Sequence, residues 1–148
     1  MRILALDIGS KTIGVAVSDP MGWTAQPVKT IRRQGRVADE AEIGALIKEY
    51  EVNELLIGLP LHMNGTEGKQ VDAVRGFARN LGETISVPVK FWDERLSTVA
   101  ANRALLEADL SRSKRREVVD KMAAVFILQG YLDSLNQPGE DEANEATD

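Results

Sequence analysis

The chain has 148 residues, 43% of them hydrophobic, which is the length of one domain with enough apolar side chain for a core. It has no cysteine and one histidine, His62, which excludes disulfides, thiolate metal sites and multi-histidine zinc sites. Any metal must be held by oxygen ligands, which suits Mg²⁺ or Mn²⁺. The net charge of −5 is concentrated at the end: residues 136–148 hold Glu140, Asp141, Glu142, Glu145 and Asp148 with no Lys or Arg, leaving 1–135 formally neutral. A neutral folded part neither demands nor forbids a nucleic-acid partner. The N-terminus lacks a signal-peptide pattern and no run reaches transmembrane length, which predicts a cytoplasmic protein.

Arg2 to Gly9 reads as a buried strand with one acid, Asp7, near its end. Gly9-Ser10-Lys11 is a turn, and Thr12 to Asp19 reads as the second strand of a hairpin. Gly9 and Gly14 have no side chain, so the backbone or phosphate of a ligand could approach there. Met21 to Arg33 is a partly alternating third strand that Pro27 confines to an edge. From about Val37 to Glu51 the period becomes helical, with Val37, Ile43, Leu46, Ile47 and Tyr50 inward and Asp39, Glu40, Glu42, Lys48 and Glu49 toward water.

Glu54 to Gly58 is a short buried strand, followed by a turn-rich loop through Gly68 at its carboxyl end, where open α/β sheets place ligands. A helix is predicted from about Glu67 to Gly82, with Val71, Val74, Phe77, Ala78 and Leu81 inward. Val87 to Trp92 reads as a fifth strand ending in Asp93-Glu94-Arg95. Ser97 or Thr98 can cap a further helix reaching about Ala108. Leu110 to Arg116 reads as a basic linker, and a strongly apolar last helix runs from about Lys114 to Leu135. Residues 136–148 are too acidic and too poor in apolar residues to pack, so they are expected to form a disordered tail behind a 1–135 domain.

Three strands in a meander, then two strands joined through helices, is the element order of the ribonuclease H-like α/β architecture. It predicts a five-stranded mixed sheet in the order 3-2-1-4-5, flanked by helices.

Three acids stand at element ends: Asp7, Glu94 with Asp93 beside it, and Asp120 in the last helix. The sheet order puts the carboxyl ends of strands one and five at one edge, and the last helix can bring Asp120 there. Crowded carboxylates repel, and a divalent cation relieves that repulsion. Two such metals can activate a water and stabilise the leaving oxygen of a phosphodiester. Each acid also has a plainer role open to it. Asp7 can cap a turn, and Asp93 and Glu94 can be solvated or paired with Arg95. Asp120 can pair with Arg116 one helical turn earlier, although it shares a row with Ala124, Ile127, Leu128 and Tyr131. His62 reads as a hydrogen-bonding loop residue. Arg112, Lys114, Arg115 and Arg116 are either a solvated helix start or phosphate contacts.

The runs Asp7 to Asp19, Gly58-Leu59-Pro60 to Asn64-Gly65-Thr66, and Asp93 to Thr98 together resemble the bacterial YqgF/RuvX family over about residues 1–135. The resemblance implies a RuvC-like ribonuclease H fold. It also implies cytoplasmic, Mg²⁺- or Mn²⁺-dependent cleavage of structured nucleic acid, with Asp7, Glu94 and Asp120 as catalytic and metal-binding acids. The family is described both as maturing the 5′ end of pre-16S rRNA and as resolving Holliday junctions. Lys11, Arg95, Arg112, Lys114, Arg115 and Arg116 are the expected nucleic-acid contacts, pre-rRNA or branched DNA the expected substrate, ribosomal particles a possible partner, and a monomer or weak dimer the expected state. Two other readings compete. One is a fragment of the actin/sugar-kinase fold, whose phosphate loop also reads Asp-x-Gly. The other is a non-catalytic nucleic-acid or ribosome-associated module.

Overall fold

The computed structural model describes residues 1–62, 64–96, 99, 102 and 112–136, with 112–118 described as backbone alone. Five strands form one sheet: β1 (Ile3–Ile8), β2 (Thr12–Ser18), β3 (Ala25–Arg32), β4 (Glu54–Leu59) and β5 (Val89–Asp93). Their order is β3-β2-β1-β4-β5, as the element order predicts. The β1–β2 and β2–β3 pairs are antiparallel, while β1–β4 and β4–β5 are parallel. Helix α1 (Arg36–Glu49) leads to β4, and α2 (Lys69–Gly82) links β4 to β5. A single 3₁₀ turn, Glu94–Leu96, follows β5, and the long helix α3 (Arg112–Asn136) ends the described chain.

Strand alternation divides the core in two. Leu4, Leu6 and Ile8 of β1 point to one face, where Ile43 and Leu46 of α1 and Val71, Val74, Ala78 and Leu81 of α2 cover them. Both parallel connections step in the same direction across the sheet, so right-handed crossovers put α1 and α2 on the same face. Ile3 and Ala5 point to the other face, under Ala123, Ala124, Ile127, Leu128 and Leu132 of α3. Asp7 continues the Ile3, Ala5 series and therefore faces α3.

Pro27 lies on edge strand β3, where a missing N–H costs no ladder bond on the open side. The first turn of α1 departs from its periodicity. Val37 is 83% exposed, whereas Asp39 is 2% exposed. Asp39 turns inward because the Gln34 N–H donates to its carboxylate at 2.9 Å and Arg33 approaches it at 3.6 Å. An acid satisfied by the preceding loop outcompetes an unrestrained valine for the inner position.

Other boundaries shift too. Strand β5 covers Val89–Asp93 rather than 87–92, and α2 starts at Lys69. The backbone from Arg112 through Arg116 is the start of α3, not a linker. Asn136 is the last residue of α3, its amide bonded to the Gly22 and Leu132 carbonyls. The helix expected from Ser97 or Thr98 to Ala108 lies outside the described residues except for Val99 and Asn102, as do 137–148. Among the described residues no helix is long and apolar enough to cross a membrane.

Candidate active site

Asp7 sits on the central strand, directly across from Gly14 of β2. On its other side, one step past the Leu6–Ile57 pair, lies Gly58 of β4. Gly14 is in turn opposite Thr30, and Gly58 opposite Trp92. One row therefore crosses all five strands as Thr30, Gly14, Asp7, Gly58, Trp92, with the acid at its centre and a glycine on each flank. Strands lie about 4.8 Å apart, so the two side-chain-free positions open the sheet surface around Asp7.

Each opening is filled by a segment carrying another acid. A β-carbon on Gly14 would overlap the carbonyl oxygen of Asp120, so the backbone of α3 rests on the sheet there. A β-carbon on Gly58 would lie 3.3 Å from Glu94 Oε2 and 2.6 Å from Ile127 Cδ1. The close approach at Gly14 is thus made by the chain's own helix, not by a ligand as the sequence suggested. Gly9 likewise faces the Thr12 carbonyl, 2.9 Å from where its β-carbon would be.

Asp120 is half-buried and its carboxylate accepts a hydrogen bond from the Thr12 hydroxyl. Thr12 precedes Gly14 by two residues on β2 and so points to the same face. Sequence reasoning missed Thr12, because only the hairpin register shows that it precedes the glycine opposite Asp7 by two residues. The Arg116 side chain, the alternative partner for Asp120, lies outside what the structure describes.

Asp93 and Arg95 take the plainer role for that pair. The Arg95 guanidinium grips both carboxylate oxygens of Asp93, with Nη2 at 2.7 Å from Oδ2. This hydrogen bonding holds the Asp93 carboxyl below the usual range and raises Arg95 further. Arg95 Nη1 also comes within 3.3 Å of where a Gly65 β-carbon would be. Gly65 has φ +86°, a turn conformation that a side chain would strain, and its bareness lets the 60–68 loop lie over Arg95. In that loop the His62 N–H donates to Thr66 and its carbonyl accepts from Gly65, with the ring packed against Gly68. His62 is thus a loop-forming residue, as expected.

The donor set offered at the row is carboxylate oxygen, which suits a hard divalent cation. Among the described residues, no three acids or histidines stand close enough to form a finished metal cage. The fit rests on the donor chemistry: Asp7 is flanked by the Asp120 segment lying on Gly14 and by the Glu94 side chain lying on Gly58. Lys11 is exposed in the β1–β2 turn, just beyond the row. Arg112, Lys114, Arg115 and Arg116 stand at the start of α3, two to one helical turns before Asp120.

A mixed five-stranded sheet in this order, flanked by helices, is the ribonuclease H-like fold. RuvC of T. thermophilus in complex with a Holliday junction substrate superposes with a TM-score of 0.60 at 10% identity, covering 91% of this chain and 96% of that one. Fowlpox virus resolvase with its junction DNA gives 0.51 at 11% identity, covering 93% and 100%. The chain belongs to the RuvX (YqgF) family, whose model, described as Holliday junction resolvase, matches residues 1–134. A relative from Moorella thermoacetica, named "Putative pre-16S rRNA nuclease", is 60% identical over 139 residues, covering 94% of this chain and 99% of its own length. A relative of the same name from Clostridium acetobutylicum is 57% identical over 135 residues, covering 91% and 100%.

Proposed function

We propose that the chain is a divalent-metal-dependent nuclease that hydrolyses phosphodiesters in structured nucleic acid, acting on the 5′ end of a 16S rRNA precursor. The observation that carries this is the row centred on Asp7, whose two glycine flanks admit Asp120 from α3 and Glu94 from the turn after β5. Carboxylates gain nothing for plain phosphate binding, which favours catalysis over a non-catalytic module. The names carried by relatives of 57–60% identity support the rRNA substrate. The family model's description and the RuvC fold favour a second reading, cleavage of branched DNA.

Asp7, Glu94 and Asp120 would hold Mg²⁺ or Mn²⁺. Such an ion, when bound, polarises a phosphoryl oxygen and lowers the pKa of a coordinated water. The chain's own residues do the rest. Thr12 fixes the Asp120 carboxylate, and the α3 backbone on Gly14 keeps that carboxylate at the sheet. Lys11 supplies a positive charge beside the acids for the nucleic-acid backbone, and the basic start of α3 supplies more.

The test is cleavage of a 5′-extended small-subunit rRNA precursor and of a four-way DNA junction by the parent and by Asp7→Asn. Metal-dependent cleavage that disappears in a folded Asp7→Asn protein is expected. Parental rates in Asp7→Asn would reject Asp7 as catalytic, and no cleavage of either substrate by the parent would reject the nuclease reading.

A further inference from the structure

A cavity of about 360 Å³ lies beside the candidate active site, walled by Ser10, Lys11, Thr12, Arg32 and Arg33. Three of these five residues are cations, two carry hydroxyls and none is an acid. The cations are not equivalent. Arg33 is committed to the fold: its guanidinium donates to the Gly9 carbonyl at 2.7 Å, approaches Asp39 at 3.6 Å and lies 5.1 Å from the centre of the Phe77 ring. It therefore belongs to the α1–α2 face. Arg32 is its neighbour in the strand and points the other way.

Arg32 is directly opposite Thr12 in the β2–β3 ladder, so the two side chains share a face. That face is the one on which Thr12 bonds Asp120 and on which Asp7 lies. Arg32 is exposed, on the open edge of the sheet. Two strands across and two residues along separate its α-carbon from that of Asp7, roughly 12 Å from strand geometry. An extended arginine spans a good part of that distance.

We infer that this cavity is a subsite for a phosphodiester one or two nucleotides from the bond cleaved at Asp7, with Arg32 as its principal charge and Lys11 and the Ser10 hydroxyl as further donors. The inference rests on the nuclease reading and adds to it the path of the substrate strand. From Asp7 on the central strand the backbone runs over Thr12 toward the β3 edge. Arginine suits the role because its planar fork offers paired donors to phosphate oxygens. Thr12 lines the cavity and holds Asp120, so the subsite and the acids share a wall.

The experiment measures binding of the 5′-extended rRNA precursor and of the four-way DNA junction in chelator, where no cleavage occurs, across a series of salt concentrations. Arg32→Gln is compared with the parent and with Lys48→Gln, an exposed cation in the last turn of α1. Arg32→Gln is expected to melt at the parental temperature, to bind roughly tenfold more weakly, and to lower the log–log salt slope by about one. Lys48→Gln is expected to bind as the parent does. Equal binding and equal slope in the two variants, or no binding by the parent, would overturn the subsite. If Arg32→Gln binds normally while Asp7→Asn alone loses cleavage, the subsite fails and the nuclease reading stands. If Arg32→Gln weakens binding but the parent cleaves neither substrate, Arg32 stands as a phosphate contact, while the nuclease reading and the placement of the subsite beside a cleaved bond fail.

Discussion

Gly14 and Asp120 meet backbone to backbone, with no room for even a methyl group between strand β2 and helix α3. This contact sets the height of α3 above the sheet and so the position of the Asp120 carboxylate. The obstacle to Gly14→Ala is a carbonyl on a packed helix, which cannot swing aside. The substitution is expected to cost about 1–3 kcal/mol in urea unfolding and to remove cleavage. Gly58→Ala meets chiefly the Ile127 Cδ1 methyl and the Glu94 side chain, which can rotate, so its stability cost should be smaller. Equal stability of Gly14→Ala and the parent would mean that α3 does not rest there.

The Thr12 hydroxyl is a positioning group for Asp120. Thr12→Val keeps the β-branched shape that suits β2 and removes the donor. Cleavage and metal affinity should each drop about 10–100-fold, the usual effect of losing a partner that orients a ligand. Thr12→Ser should restore both, because the hydroxyl returns. A valine variant with parental activity, or a serine variant as impaired as valine, would remove Thr12 from the site.

The sheet was legible in the sequence because each of its strands carries its own signal. Apolar runs in β1 and β2 joined by a Gly-Ser-Lys turn, Pro27 in β3 and the helical periods before β4 and β5 gave the element order, fold-level analogy gave the strand order, and the structure has it. The direction of α1's first turn was not legible. Periodicity weighs Val37 against Asp39 by polarity alone, and cannot see that the loop before the helix supplies Asp39 with a backbone donor and an arginine. The same limit applies at the site. Asp7, Glu94 and Asp120 could be picked out as acids at element ends, but only the pairing register shows that Gly14 and Gly58 flank Asp7. Arg32 and Arg33 look alike in sequence; strand alternation turns one into the fold and the other to the surface.

A second acid under α3 has a structural task. Glu54 is buried at the start of β4, where the Tyr131 hydroxyl donates to it at 2.9 Å and Lys90 lies 3.4 Å away. Glu54 in turn raises the Lys90 pKa, while burial, followed by the bond to Glu54, raises that of Tyr131. Tyr131→Phe keeps the edge-on ring contact with Trp92 but leaves Glu54 short of a donor. It is expected to cost about 1–3 kcal/mol in chemical unfolding. Lys90→Gln removes a side chain that is mostly in water and should cost less than Tyr131→Phe. If the lysine substitution proves the more damaging, the ion pair rather than the hydroxyl stabilises Glu54.

The β2–β3 turn is built on Asp19 and tethers the far end of α3. The Asp19 carboxylate accepts from the backbone N–H groups of Met21 at 2.7 Å, Trp23 at 3.1 Å and Thr24 at 2.6 Å, and from the Thr24 hydroxyl at 2.7 Å. The turn it shapes presents the Trp23 carbonyl to Gln129 and the Gly22 carbonyl to Asn136, both on α3. The Thr24 hydroxyl, followed by the Thr24 N–H, lowers the Asp19 pKa from 3.8 to about 2. A carboxyl with a depressed pKa in the fold stabilises when ionised. Its contribution is therefore full above the unfolded value near 3.8 and is lost as pH falls through about 2. Asp19→Ala should melt below the parent at pH 7, and the gap between the two should narrow as pH falls from about 4 to about 2. Asp19→Asn keeps one acceptor oxygen without the charge, so its deficit should be smaller than that of Asp19→Ala and should narrow over the same range, because only the parent titrates there. Melting curves of the three proteins at stepped pH decide this. A gap between parent and Asp19→Ala that stays constant through the acid range would mean that the ionised carboxylate does not hold the turn.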